Sequence, residues 1–278
     1  MKRRSLFLPL ALVVGYAFLY APIVTLIVFS FNKSKLVTVW AGFSTQWYTA
    51  LIQNDQILQA AWISLRLAAL NATVAVALGT VAGFVLARFR RFRGRTIFTG
   101  MITAPLVMPE VITGLSLLLL FVAMEALFGW PSGRGFTTIL IAHITFSMAY
   151  VAVIVQARLS DMDTSIEEAA LDLGARPAKI FFVITLPIIA PALVAGWLLS
   201  FTMSLDDLVI ASFVAGPGSS TLPMVIFSKV RLGVSPEINA LATILVAIVA
   251  FGTIIAGIVM SRQRRARERD MQMAAADQ

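Results

Sequence analysis

Six apolar stretches, near residues 6–31, 60–87, 97–128, 136–157, 187–214 and 238–260, dominate this chain of 278 residues. Each reaches or exceeds the roughly 20 residues a helix needs to cross a bilayer's hydrocarbon core. Apolar residues make up 59% of the chain and the mean hydropathy is +0.89, so little polar surface is left to face water. Inside lipid, each backbone N–H and C=O must be satisfied within its own helix or in a closed barrel. Runs of this length dictate helices. The expected fold class is therefore an all-α polytopic membrane protein with six transmembrane helices in a single transmembrane domain, 1–278. The first run holds Pro22 and is followed by no small-x-small cleavage site, so it is expected to stay as an anchor rather than be removed.

The net charge of +8 suggests nucleic acid until its distribution is followed. Lys2, Arg3 and Arg4 precede the first run; Arg88, Arg90, Arg91, Arg93 and Arg95 follow the second. Arg158, Arg176 and Lys179 lie in the 158–186 loop, and Arg262, Arg264, Arg265, Arg267 and Arg269 follow the sixth run. Most of the 22 basic residues thus fall in alternate gaps. Positive residues collect on the cytoplasmic side, so both termini and the 158–186 loop are expected there, in contact with lipid headgroups and not with nucleic acid. The chain has no cysteine and one histidine, His143, so neither a disulfide nor a metal site is expected.

The longest polar interruption, 158–186, has a legible local structure. Asp163, Thr164 and Ser165 favour a helix start, and Thr164 to Glu167 and Ser165 to Glu168 both have capping-box spacing. Gly174 suits the left-handed residue that ends a helix, and Pro177 suits the first turn of the next. The expectation is a helix, a glycine turn and a second helix, compact enough to transmit a push.

Three acidic residues fall within apolar runs: Glu110, Asp206 and Asp207. A carboxylate at bilayer depth costs about 2.5–3.5 kcal/mol on insertion scales, so it is normally paired or functional. Pro105 and Pro109 should kink the third run beside Glu110, since each removes a backbone donor and crowds the preceding turn. Asp206 and Asp207, adjacent on a regular helix, point about 100° apart and cannot act as one acid–base pair. His143 is expected to bond a neighbouring helix. Gly79-x-x-x-Gly83 permits close helix approach. Gly216 to Pro223 and the apolar stretch after it suggest a re-entrant or interfacial loop. No G-x-x-x-x-G-K-[ST] occurs, so nothing here is expected to cradle a nucleotide phosphate.

Glu168-Ala169-Ala170, Gly174 and Ile184-x-Leu186-Pro187 match, without a gap, the loop by which permease subunits of bacterial ABC importers grip their ATPase. The chain resembles that binding-protein-dependent transport inner-membrane component family. Three further segments, Ala104–Gly114, Ser204–Ile210 and Val234–Thr243, are similar to its polyamine (putrescine/spermidine) branch. The resemblance implies the type I importer fold, in the bacterial inner membrane. It also implies a heterodimer with a second permease subunit, two ATPase subunits that consume ATP, and a periplasmic polyamine-binding protein. The chain itself would be a transport subunit with no bound cofactor, not an enzyme. Glu167, Glu168, Ala169, Ala170, Gly174, Ile184, Leu186 and Pro187 would couple to the ATPase; Asp206, Asp207 and Glu110 would meet the cationic substrate, putrescine ahead of spermidine. An importer for another small solute is the alternative, and a stand-alone channel a more distant one.

Overall fold

The computed structural model describes residues 7–36, 39–89, 91–233 and 235–252, with 254, 258 and 261. Lys2, Arg3, Arg4, Arg90 and the basic residues from Arg262 onward lie outside the described residues. In chain order the helices are α1 (Phe7–Phe29), α2 (Gln46–Ile52), α3 (Asp55–Arg88), α4 (Arg95–Val107), α5 (Glu110–Phe128), α6 (Phe136–Ser160), α7 (Ser165–Asp172), α8 (Pro177–Ile180), α9 (Leu186–Asp206), α10 (Val209–Val214), α11 (Leu222–Leu232) and α12 (Pro236–Gly252). One π-helical turn, Phe181–Thr185, joins α8 to α9. Among the described residues no strand forms; a single bridge pairs Asn32 with Phe43.

Among the described residues, five helical runs are long and apolar enough to span a membrane: α1, α3, α5, α6 and the continuous run Pro177–Asp206. The sixth expected run, 238–260, overlaps the shorter α12, and several residues beyond Gly252 lie outside the described set. Two expectations need correction. The third run, 97–128, is two helices and not one kinked helix. Met108 and Pro109 are both extended (ψ 134° and 137°) between α4 and α5. Pro109 lacks the N–H that would continue the ladder, and its ring pushes Met108 out of the helical region. Pro105, by contrast, stays inside α4. The fifth run, 187–214, is likewise split, with Asp207 extended (ψ 124°) between α9 and α10. The expected re-entrant stretch after Pro223 is helical, within α11.

The chain divides into two compact units, residues 1–55 with 228–278, and residues 56–227. In the first, α1 buries no residue and is apolar all round, as suits a helix facing lipid or another subunit. After it, Asn32 closes a tight loop, donating to the Val39 carbonyl at 2.7 Å and accepting from the Ala41 N–H at 2.9 Å. Glu237 accepts from Asn54 (2.6 Å) and pairs with Lys229 (3.2 Å).

In the second unit α6 is the central post. Gly79 and Gly83 bring α3 against it so closely that a Cβ at either would lie 2.6 Å from Val151 or from the Ala152 carbonyl. Two apolar clusters fill the flanks: Val151, Val155 and Leu159 with Ile189 of α9, and Ile139, Ala142 and Phe146 with Phe121 and the α10 residues Ile210, Ala211 and Val214. Deep between the helices, Asn71 donates to Ser147 Oγ (3.1 Å) on α6 and to the Ser200 carbonyl (2.9 Å) on α9. The two features with functional promise, the α7–α8 knob and the break after α9, hang at different levels of this post.

Candidate functional site

The knob forms as its sequence suggests, but its N-terminus is capped differently. Thr164 is already helical (φ −68°, ψ −20°), and its side chain caps nothing, so the expected capping box is absent. Asp163 does the work instead. Its Oδ1 accepts the Ser165 N–H at 3.0 Å, and the Ser165 backbone and side-chain bonds hold its carboxyl below the ordinary carboxylate value. At the other end the Ala175 N–H bonds the Ala170 carbonyl (3.0 Å) and the Gly174 N–H bonds that of Leu171 (2.8 Å). That pair of bonds is the Schellman closure, and Gly174 at φ +78° supplies the left-handed residue it needs. Arg176 is extended, and Pro177 opens α8.

The expected coupling residues divide by exposure. Glu168, Ala169, Gly174 and Pro187 are exposed, while Ala170, Ile184 and Leu186 are half-buried. Ile166, Leu171 and Leu173 add an uncovered apolar surface, with Leu173 89% exposed. Glu167 departs from the expected gripping face. It points inward, pairing with Arg88 and accepting from Thr185 Oγ1. Neighbours on a helix are about 100° apart, so Glu167 and Glu168 cannot share a direction.

The intramembrane carboxylates divide the same way. α9 stops at Asp206, and Asp207 caps the restart: its carboxylate accepts the N–H groups of Ile210 (3.3 Å) and Ala211 (2.7 Å) at the N-terminus of α10. His143 Nε2 lies 3.1 Å from Asp207 Oδ2, and His143 Nδ1 lies 2.7 Å from Ser204 Oγ. A carboxylate oxygen accepts, so Nε2–H donates to Asp207; in a neutral imidazole Nδ1 then accepts from the serine hydroxyl. His143 is 2% exposed and the Asp207 side chain 10%. Asp207 is consumed by its own fold, and the histidine bonds a neighbouring helix as expected.

Asp206 and Glu110 are both exposed and carry no ion pair among the described residues. Gly114, one turn into α5 from Glu110, is packed on Ile210 and Phe213, one to two turns beyond Asp206. The electrostatics of the two differ. Glu110 occupies the first turn of α5, where the positive helix end offsets its charge. Asp206 occupies the last turn of α9, where unpaired carbonyls add to it. The carbonyl end of α9 thus adds negative potential at Asp206, while the start of α5 offsets it at Glu110.

The family model described as "binding-protein-dependent transport system inner membrane component" matches residues 79–269, a stretch that contains the knob, both breaks and all three carboxylates. The chain belongs to this family. The permease is 60% identical to the putrescine transport system permease protein PotI of Escherichia coli K12, over 95% of this chain and 94% of that one. It is 44% identical to the spermidine/putrescine transport system permease protein PotC of the same strain, over 90% and 91%. Its fold matches a chain of a bacterial ABC transporter involved in import of the acidic polysaccharide alginate, at TM-score 0.71 and 16% identity, covering 94% and 98%. A chain of the MetNI methionine ABC transporter matches at TM-score 0.60 and 15% identity, covering 74% and 94%. Arg88 and Thr185 are the permease's polar partners that sequence reasoning did not assign. Arg88 was one arginine among five after the second run, and nothing in its neighbours sets it apart.

Proposed function

We propose that this permease is one of two membrane subunits of an ATP-driven polyamine importer, carrying putrescine or the related spermidine across the bacterial inner membrane. The observation that carries this reading is the 60% identity to a putrescine permease over nearly the whole of both chains. Local chemistry supports it. Asp206, at the carbonyl end of α9, is the charge a dication would neutralise in passage, with Glu110 in the first turn of α5 as a second carboxylate. Discontinuous helices whose carbonyl ends meet a cation recur in transporter sites at the bilayer midplane. Arg88, Arg91, Arg93, Arg95, Arg158, Arg176 and Lys179 gather at the helix ends around the knob, which supports a cytoplasmic location for it.

In this reading a periplasmic binding protein delivers the polyamine to a heterodimer of permeases. Closure of two ATPase subunits moves the knob, and the helices pass from outward to inward access. Glu168, Ala169 and Gly174 with the apolar Leu171 and Leu173 form the face that meets the ATPase. ATP is bound by that partner.

The test is radiolabelled uptake in cells deleted for polyamine import, with putrescine and spermidine offered separately. Putrescine uptake restored by the permease with its partners, and cut at least tenfold by Asp206→Asn without loss of assembly, is expected for removal of one charge contact of ~1.4 kcal/mol or more. Uptake of neither amine, or full uptake by Asp206→Asn, defeats the assignment of substrate or of site respectively.

A further inference from the structure

The two neighbouring glutamates of the knob do different jobs, and the inward one has a built environment. Glu167 Oε2 lies 2.8 Å from Arg88 Nε, and Glu167 Oε1 accepts from Arg88 Nη2 at 3.1 Å. This fork combines one hydrogen bond, from Nη2, with a close charge contact at Nε, whose N–H is not aligned on the carboxylate. The third guanidinium nitrogen, Nη1, donates to the Leu159 carbonyl (3.0 Å) in the last turn of α6. Glu167 Oε1 also accepts from Thr185 Oγ1 (2.7 Å), and Thr185 is buried where the π turn becomes α9. One carboxylate thus joins the knob to α3, α6 and α9.

The rest of α7 has no such hold, since none of its residues is buried. α8 is tied differently: Ile180 is buried, and Phe181 packs edge-on to Phe84 with ring centres 5.1 Å apart. Phe84 and Arg88 are four residues apart, on one face of the last turns of α3. That face holds the π turn after α8 by an apolar contact and α7 by an ionic one. Beyond it, Gly79 and Gly83 seat α3 on α6 too tightly to slip. A cleft of about 580 Å³, lined by Arg88, Arg95, Gln156 and Asp161 and by Asp163 and Thr164, borders the start of α7. Without the fork, α7 has room to move there while α3 stays put.

We propose that Arg88, Glu167 and Thr185 form an internal strut that converts motion of the knob into motion of α3 and α9, with Glu167 a positioning residue that does not contact the ATPase. The proposal rests on the transport reading above, and it separates Glu167 from the exposed Glu168, which stays on the gripping face. Its signature is uncoupling: the ATPase binds and fires, but the stroke is lost between α7 and the post.

The experiment uses the complete complex in proteoliposomes, with putrescine and its binding protein, and reads ATP hydrolysed per putrescine transported. Glu167→Gln should raise that ratio about tenfold, in the range that changes at coupling residues command, with ATPase subunits still co-purifying. Glu168→Gln should lower ATPase recovery instead. Arg88→Glu and Glu167→Arg should each uncouple, and the double reversal should recover much of the wild-type ratio, which a bulk packing role would not produce. Thr185→Val, which keeps shape and loses one donor, decides the matter if the charge variants do not assemble; it should raise the ratio by a smaller factor. A wild-type ratio in Glu167→Gln or Thr185→Val, no recovery in the double reversal, or ATPase loss in Glu167→Gln overturns the strut. A wild-type complex with no ATP-driven putrescine uptake at all overturns the transport reading, and the strut with it.

Discussion

Asp207→Ala is expected to damage the permease by unfolding its centre rather than by removing a substrate contact. The carboxylate accepts from Ile210 N, Ala211 N and His143 Nε2, and it is almost fully enclosed. Losing the cap of α10 costs about 1 kcal/mol. Leaving the buried His143 Nε2–H without its acceptor costs about 1–3 kcal/mol by the usual reckoning. Interhelical hydrogen bonds in membranes average only about 0.6 kcal/mol, because the separated helices find other partners, so the lower end applies. The sum is about 2 kcal/mol, or roughly 4–8 °C of melting temperature in a chain of this size. Asp207→Asn should cost less than about 1 kcal/mol, since asparagine caps a helix as well as aspartate does. With the amide oxygen in the Oδ2 position the Ala211 N–H and His143 Nε2–H keep their acceptor, and only the longer Ile210 bond (3.3 Å) is lost. Asp206→Asn and Asp206→Ala, at an exposed carboxyl, should leave the melting temperature unchanged. The assay is thermal unfolding of the purified complex beside putrescine uptake. An Asp207→Ala protein as stable as wild type, or an Asp206→Ala protein that melts early, refutes this division between a structural and a substrate carboxylate.

Two glycines make a matched stability test. Gly83→Ala puts a Cβ 2.6 Å from the Ala152 carbonyl, so α3 and α6 must part, at about 1–3 kcal/mol; thermal melting should show it. Gly100→Ala, with nothing within 4 Å, should be neutral or stabilise α4 by up to about 1 kcal/mol, and equal losses at both sites would deny the close packing of α3 on α6. Gly174→Val forces a β-branched residue into φ +78° in open space, so the strain of about 1–2 kcal/mol should fall on the Schellman closure alone. Such a protein should insert and assemble normally, yet hydrolyse ATP without matching uptake; normal uptake would remove the turn from the coupling path.

Much of the helical architecture was readable from apolar run length, because a backbone in lipid has so few ways to satisfy itself. The knob was readable too: Gly174 and Pro177 punctuate it by local backbone geometry, which needs no distant partner. The breaks in the third and fifth runs were only half legible. Pro109 announced the first as a kink, and the structure makes it a full interruption. Nothing in Ser204-Leu205-Asp206-Asp207 announced the second, because the cap at Asp207 is completed by His143, some 60 residues earlier in the chain.

The deeper division lies between residue type and residue direction. Composition, charge asymmetry and spacing are properties of the string, and they placed the chain in a membrane, supplied a lever and marked three carboxylates. Which member of each acidic pair turns inward depends on where a helix stops and what is packed beside it. Glu167 and Asp207 found Arg88 and His143 on other helices, so Glu168 and Asp206 were left outside. Such pairings join residues some 60 to 80 positions apart, and only the folded packing of α3, α6 and α9 brings them within hydrogen-bond reach.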